Sequence, residues 1–170
     1  MGNYKEIKGD LIELTYQKDF DVIGHGCNCM CVQGAGLAVD MVKHFRTNTF
    51  ILEHYKYRGK REKLGKIDYE SFMFNNEDNI FEKTDDENTD LYVVNCYTQY
   101  YYGTKFGIPV DYNALRSCMK EINKTFTGKR IGLPRIGAGL ARGNWTTIKN
   151  IIQTELVDCD VTIVNYGKRV

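Results

Sequence analysis

The chain has 170 residues, which fits one domain with a core of ordinary size. Its hydrophobic fraction of 42% and charged fraction of 26% are those of a globular protein, and a formal net charge of +1 supplies no global field for nucleic acid or membrane. No run approaches membrane-spanning length, the start Met1-Gly-Asn-Tyr-Lys-Glu6 has no apolar leader, and Glu6 stands where a myristoylation signal wants Ser or Thr. The expectation is a cytoplasmic monomer, 1–170 forming a single domain, with no membrane partner and no direct nucleic-acid partner. Its six cysteines (Cys27, Cys29, Cys31, Cys96, Cys118, Cys159) are expected to be reduced thiols.

In chain order, Tyr4 to Lys8 reads as a first strand, ended by a turn at Gly9-Asp10-Leu11. Asp21 to His25 is the second strand, running out at Gly26-Cys-Asn28. Ala38, Met41, Val42 and Phe45 then share one face of a helix, and 48–58 has weaker helical spacing. Between His54 and Lys66 lie six Lys/Arg against one acid, while Asn75 to Asp90 holds seven acids against one Lys. Both charge runs read as solvated loops, or the basic one draws in an anionic substrate. Ile67 to Phe74 is a strand, and the unbroken β-prone run Leu91 to Thr98 is a central strand covered on both faces.

Gln99 to Gly107 is an aromatic loop whose three consecutive tyrosines cannot all be core. Asp111 caps a helix with Leu115, Cys118, Met119, Ile122 and Phe126 on one face, closed by Gly128. A strand over 130–134 follows, then a helix capped by Asn144 or Thr146 and a last strand over 161–165. The pattern predicts a three-layer α/β/α sandwich with a mixed, mainly parallel sheet of about six strands.

The pentapeptide Gly-Ala-Gly-Leu-Ala occurs twice, at Gly34 to Ala38 and Gly137 to Ala141, each copy between an apolar strand and a helical stretch. Glycines there let backbone N–H groups and a helix N-terminus approach a phosphate, and two such loops at one sheet edge suit a diphosphate. Neither is a Walker loop, and Val39 and Arg142 break the G-x-G-x-x-G pattern, which disfavours nucleotide kinases and dinucleotide dehydrogenases. His25, Cys27, Cys29 and Cys31 alternate, a tempting metal set, but C-x-x-C spacing and a second ligand pair are missing. Small buried side chains are the preferred reading, and no metal or cofactor is expected. His25 and Asn28 stand where a strand meets the first loop, so both are catalytic candidates. A core histidine and a turn asparagine are the competing readings.

Lys8-Gly-Asp-Leu11, Asp21-Val-Ile-Gly-His-Gly-Cys-Asn28, Gly34 to Ala38 and Leu133-Pro-Arg-Ile-Gly-Ala-Gly-Leu-Ala-Arg-Gly-Asn-Trp145 resemble, in order and spacing, the macro domain. The likeness is greatest to small stand-alone ADP-ribose-1''-phosphate phosphatases, which are related to the terminal ADP-ribose glycohydrolase branch. The resemblance implies a ligand from the ADP-ribose derivatives. Asp10 would accept from the adenine amino group, the Leu11 N–H would serve the ring, and Asn28 would hold the distal ribose. Gly34, Ala35, Gly36 and Leu37, with Gly137, Ala138, Gly139 and Leu140, would wrap the diphosphate. Adenine cover would come from near Asn165 and Tyr166. The glycohydrolase branch carries a nucleophilic lysine where this chain has Gln99, and an aspartate where it has Ala141. Lysine-dependent cleavage is thereby disfavoured unless Lys105 substitutes. The expected activity is phosphate release from ADP-ribose-1''-phosphate, with His25 as nucleophile or general acid/base and Asn28 positioning ribose or water. A non-catalytic ADP-ribose reader and a hydrolase acting on modified macromolecules are the alternatives.

Overall fold

In the computed structural model, which describes residues 2–85 and 87–167, seven strands form one sheet in the order β1-β7-β6-β2-β5-β3-β4. The strands are β1 (Tyr4–Lys8), β2 (Val22–Asn28), β3 (Ile67–Asn75), β4 (Ile80–Thr84), β5 (Leu91–Gln99), β6 (Arg130–Leu133) and β7 (Asp160–Asn165). The block β1, β7, β6, β2, β5 is parallel throughout, while β3 runs antiparallel to β5 and β4 antiparallel to β3. Parallel strands need covered faces. Helices α1 (Leu11–Tyr16) and α2 (Leu37–Phe45) cover one face, while α3 (Tyr112–Thr125) and α4 (Trp145–Glu155) cover the other.

Two cores result, one on each side of the sheet. Leu11, Ile12, Met41 and Phe45 pack on Ile23, Val93 and Phe72. Leu115, Met119, Ile122, Ile148 and Ile152 pack on Val22, Val94, Ile131 and Val161. The alternation of Val22 and Val94 against Ile23 and Val93 is the strand period of two, and each fully buried aliphatic side chain contributes about 1.5–3 kcal/mol. The expected caps are present, with Asp111 Oδ1 accepting from Ala114 N at 2.9 Å and Asn144 Oδ1 accepting from Thr147 N at 3.2 Å.

The three-layer mixed sandwich is as expected, with seven strands against about six. The additional strand, β4, lies inside the acidic run, where Phe81 points into the core while Glu82 and Lys83 face out. Asp10 begins a helix rather than only a turn, since its Oδ1 accepts from Ile12 N at 2.9 Å and Glu13 N at 3.2 Å. The 48–58 stretch is not one helix but part of a succession of short 3-10 turns over 47–49, 51–53, 55–57 and 61–63.

Candidate functional site

All five parallel strands end on one edge of the sheet, so the loops that follow them form one row. From one side come Asp10 after β1, Asn165 and Tyr166 at the end of β7, the second glycine loop after β6, Asn28 and the first glycine loop after β2, and Gln99 closing β5. β1 and β2 stand three strand spacings apart, roughly 14 Å. A ligand engaging Asp10 and the first glycine loop together must therefore be elongated.

The two glycine loops meet. A methyl group built on Gly36 would stand 3.2 Å from Leu140 Cδ1. Gly36 has φ 61° and ψ −143°, a backbone conformation open essentially to glycine, and it opens α2 with no side-chain cap. The N–H groups of Gly34, Ala35, Gly36 and Leu37 make no hydrogen bond among the described residues. They stand at the positive end of the α2 dipole, as a donor set for an anion should. In the second loop the N–H groups of Gly137, Gly139 and Leu140 are likewise unengaged, but that of Ala138 donates to Arg135 O at 3.1 Å. Ala138 thus differs from its neighbours, its N–H closing a turn within the loop. The second loop also differs from the first in running on to Asn144 before its helix starts.

Asp10 uses Oδ1 for its cap and keeps Oδ2 unengaged among the described residues, beside the Leu11 N–H that opens α1. Asn28 is nearly buried and folds the next turn around itself. Its Oδ1 accepts from Met30 N at 3.0 Å and Val32 N at 3.3 Å, and its Nδ2 donates to Val32 O at 2.7 Å. One amide hydrogen of Asn28 has no partner among the described residues, and Asn28 pairs with Gln99 on the neighbouring strand. Gln99 Nε2 donates to Tyr101 O at 2.8 Å. Ala141 is buried, with its carbonyl accepting from Val110 N at 3.3 Å. Lys105 stands on the exposed outer turn near the Phe106 ring.

His25 is not where acid–base chemistry at the sheet edge needs it. It is 2% exposed, on the α2 face of β2. Asn95 Nδ2 donates to the Thr47 carbonyl at 2.9 Å, so Asn95 Oδ1 turns to His25 and must accept from Nε2–H at 2.7 Å. That fixes the tautomer and leaves Nδ1 bare and without a partner. Burial pushes the ring down to about 4, so it is neutral near pH 7. The ring is held between β2, β5 and the turn at Thr47, the surroundings of the core histidine that was the competing reading for His25.

All six cysteines are free thiols. The alternation of His25, Cys27, Cys29 and Cys31 fails at the end of β2, where the strand pairing shifts between Cys27 and Asn28 and Cys31 takes a left-handed φ of 60°. Burial holds the Cys27 thiol well above its ordinary range and pushes that of Cys29 up to about 11. Neither offers a thiolate to an electrophile or a metal near pH 7.

Sequence reasoning missed the polar side chains packed against residues 29–33, ahead of the first loop. Lys63, from the basic run taken as solvated, is fully buried against Glu53, with Gln33, Thr47 and Asn95 beside them. A cleft of about 560 Å³ flanks the second loop and is lined by Arg61, Tyr100, Tyr101, Phe106, Ile108 and Tyr112, with the Arg61 guanidinium 3.9 Å from the Tyr100 ring centre.

No family model matches the chain. It is 34% identical over 170 residues, 95% of this chain and 96% of the other, to an uncharacterised 17.5 kDa protein from the tk-vs intergenic region of phage T4. Among solved structures, a protein of unknown function from Bacteroides thetaiotaomicron is 26% identical, with 96% of this chain and 98% of that chain covered and a TM-score of 0.69. Thermosipho africanus DarTG in complex with ADP-ribose aligns over 100% of this chain and 43% of its own, at 15% identity and a TM-score of 0.72. The macrodomain of Thermus aquaticus DarG aligns over 96% and 99%, at 18% identity and a TM-score of 0.63. At those last two identities the likeness is one of fold, and the fold is that of the macrodomain.

Proposed function

This chain belongs to the same protein family as the phage T4 17.5 kDa protein and is built on the macrodomain fold, and from that premise we propose that it binds ADP-ribose and dephosphorylates ADP-ribose-1''-phosphate. The observation that carries the reading is the meeting of two glycine loops, Leu140 against Gly36, with unengaged N–H groups on both. Such a cradle fits a diphosphate. Asp10, about three strand spacings away, fits the far end of an adenosine, accepting through Oδ2 from the adenine amino group. The distal ribose then lies at Asn28, whose remaining amide hydrogen meets a hydroxyl or a water.

The terminal phosphate extends beyond the diphosphate, beside the N-terminus of α2. Water attacks its phosphorus, and the bond from phosphorus to the 1'' oxygen breaks as that oxygen leaves with a proton. Backbone donors already aimed at the site stabilise the charge on the transferred group without reorganising. With His25 sealed in the core, the chain's contribution is positioning and electrostatics, with Asn28 and Gln99 nearest the departing group.

The test is to incubate purified protein with ADP-ribose-1''-phosphate while measuring free phosphate and, in parallel, ADP-ribose binding by calorimetry. Phosphate release that saturates with substrate supports the whole reading. Binding without release defeats the phosphatase half and leaves a reader of ADP-ribose.

A further inference from the structure

Against residues 29–33, which lead into the first glycine loop, sits a buried ion pair that the binding scheme does not use. Lys63 Nζ stands 3.7 Å from Glu53 Oε2, and both side chains are 1% exposed. Taking both charges out of water costs several kcal/mol each, and apolar replacements of such pairs are often neutral or stabilising. Stability is therefore a weak explanation for it. Geometry is a better one, since buried polar pairs can fix one arrangement among several.

Lys63 Nζ donates to Cys29 O at 3.4 Å and Cys31 Sγ at 3.2 Å, over the face of Tyr97. Glu53 Oε1 accepts from Gln33 Nε2, whose other hydrogen goes to Thr47 O at 3.3 Å, while Gln33 Oε1 accepts from Thr47 Oγ1 at 2.6 Å. The whole amide of Gln33 is thus committed to the 47–63 segment, and Gln33 is bonded to Gly34. Thr47 O continues the chain through Asn95 to His25. The approach to the loop is gripped at residues 29, 31 and 33, whereas nothing lies within 4 Å of a methyl built on Gly34 and no side chain caps Gly36.

We propose that Lys63 and Glu53 are positioning residues, a buried pair that holds residues 29–33 so that the N–H groups of Gly34 to Leu37 face the diphosphate before it arrives. The proposal rests on the reading of the glycine loops as the ADP-ribose site. Preorganisation of this kind raises affinity by removing the ordering cost of the loop. The loss on removing it falls on the diphosphate end and spares the adenosine end.

Calorimetry with ADP-ribose and with AMP tests this on wild type, on Lys63→Met with Glu53→Leu, and on Gln33→Ala. The double variant removes both charges while keeping their volume, and Gln33→Ala cuts the last tether at a half-buried position. The expected result is a loss of about tenfold or more in ADP-ribose affinity for the double variant and at least about threefold for Gln33→Ala, with AMP affinity within about twofold. Unchanged ADP-ribose affinity in folded variants, or equal losses for both ligands, overturns the proposal while the site assignment stands. If the double variant does not fold, Gln33→Ala decides by the same criterion. No ADP-ribose binding by the wild type overturns the site assignment, and the proposal with it.

Discussion

Leu140 lies over Gly36, so the exposed end of one Gly-Ala-Gly-Leu-Ala loop covers the helix-opening glycine of the other. An alanine at Gly36 meets two obstacles, a backbone at φ 61° and a Leu140 methyl 3.2 Å away. The leucine can yield by turning, but the backbone strain, about 1–3 kcal/mol, cannot be relieved without moving the loop. Gly36→Ala is expected to weaken ADP-ribose binding by about tenfold or more while leaving thermal unfolding within a few degrees. Calorimetry and a melting curve on the same sample check both halves.

Asp10 separates capping from recognition. Asparagine caps as well as aspartate, so Asp10→Asn should keep α1 and leave stability within about 0.5 kcal/mol. It replaces an acceptor with a donor at Oδ2, where an adenine amino group needs an acceptor, so affinity for ADP-ribose should fall by about 1–3 kcal/mol. Asp10→Ala should show that same loss plus about 1 kcal/mol of stability. Equal binding by Asp10→Asn and wild type would place adenine elsewhere.

His25 and Asp68 oppose each other in acid. Burial lowers His25 to about 4 from 6.5, so the stability of its neutral ring is complete above pH 6.5 and lost as pH falls toward 4. Burial raises Asp68 to about 6 from 3.8, so the stability of its protonated carboxyl is complete below 3.8 and lost as pH rises through 6. Between pH 6 and pH 4 each contributes about 1.4 kcal/mol per pH unit, with opposite sign. These two contributions should nearly cancel over that window, leaving the wild type only the acid losses of groups such as His44 and Asp21, whose folded-state values are also lowered. Asp68→Asn, which keeps an acceptor for Leu52 N, should lose stability steeply there, and urea unfolding at pH 6 and pH 4 reads the difference.

Asn28→Ala removes three hydrogen bonds that fold the 28–32 turn. The expected cost is about 1–3 kcal/mol of stability, together with a fall in ADP-ribose affinity larger than the fall in AMP affinity. His25→Ala should instead destabilise, through a cavity and an unpaired Asn95, and leave the turnover of still-folded protein unchanged. Steady-state kinetics below the melting temperature distinguish the two.

The parts of the molecule legible in the sequence were local. Asp111 and Asn144 cap helices whose apolar faces repeat long enough to see, and the twin pentapeptide marks both loops without help from the rest of the chain. The six-residue helix after Asp10 is too short to show a period, and β4 hides in an acidic run because only Phe81 of it is buried. The basic run looked solvated, yet Lys63 is buried because Glu53 and the Cys29 carbonyl, brought near only by tertiary folding, receive its charge. His25 read as the end of its strand, yet β2 runs on to Asn28, and which face of the strand His25 takes, and what covers that face, depends on the turn at Thr47.

The central claim is that one elongated ligand spans the strand ends from Asp10 to the two glycine loops. Backbone amide shifts in an isotope-labelled sample, followed through an ADP-ribose titration, test it most directly. The account predicts saturation at one ligand per chain, with Leu11, Gly34, Gly36, Leu37, Gly139 and Leu140 shifting together along one binding curve. Shifts confined to one end of that row, or none at saturating ligand, would contradict it.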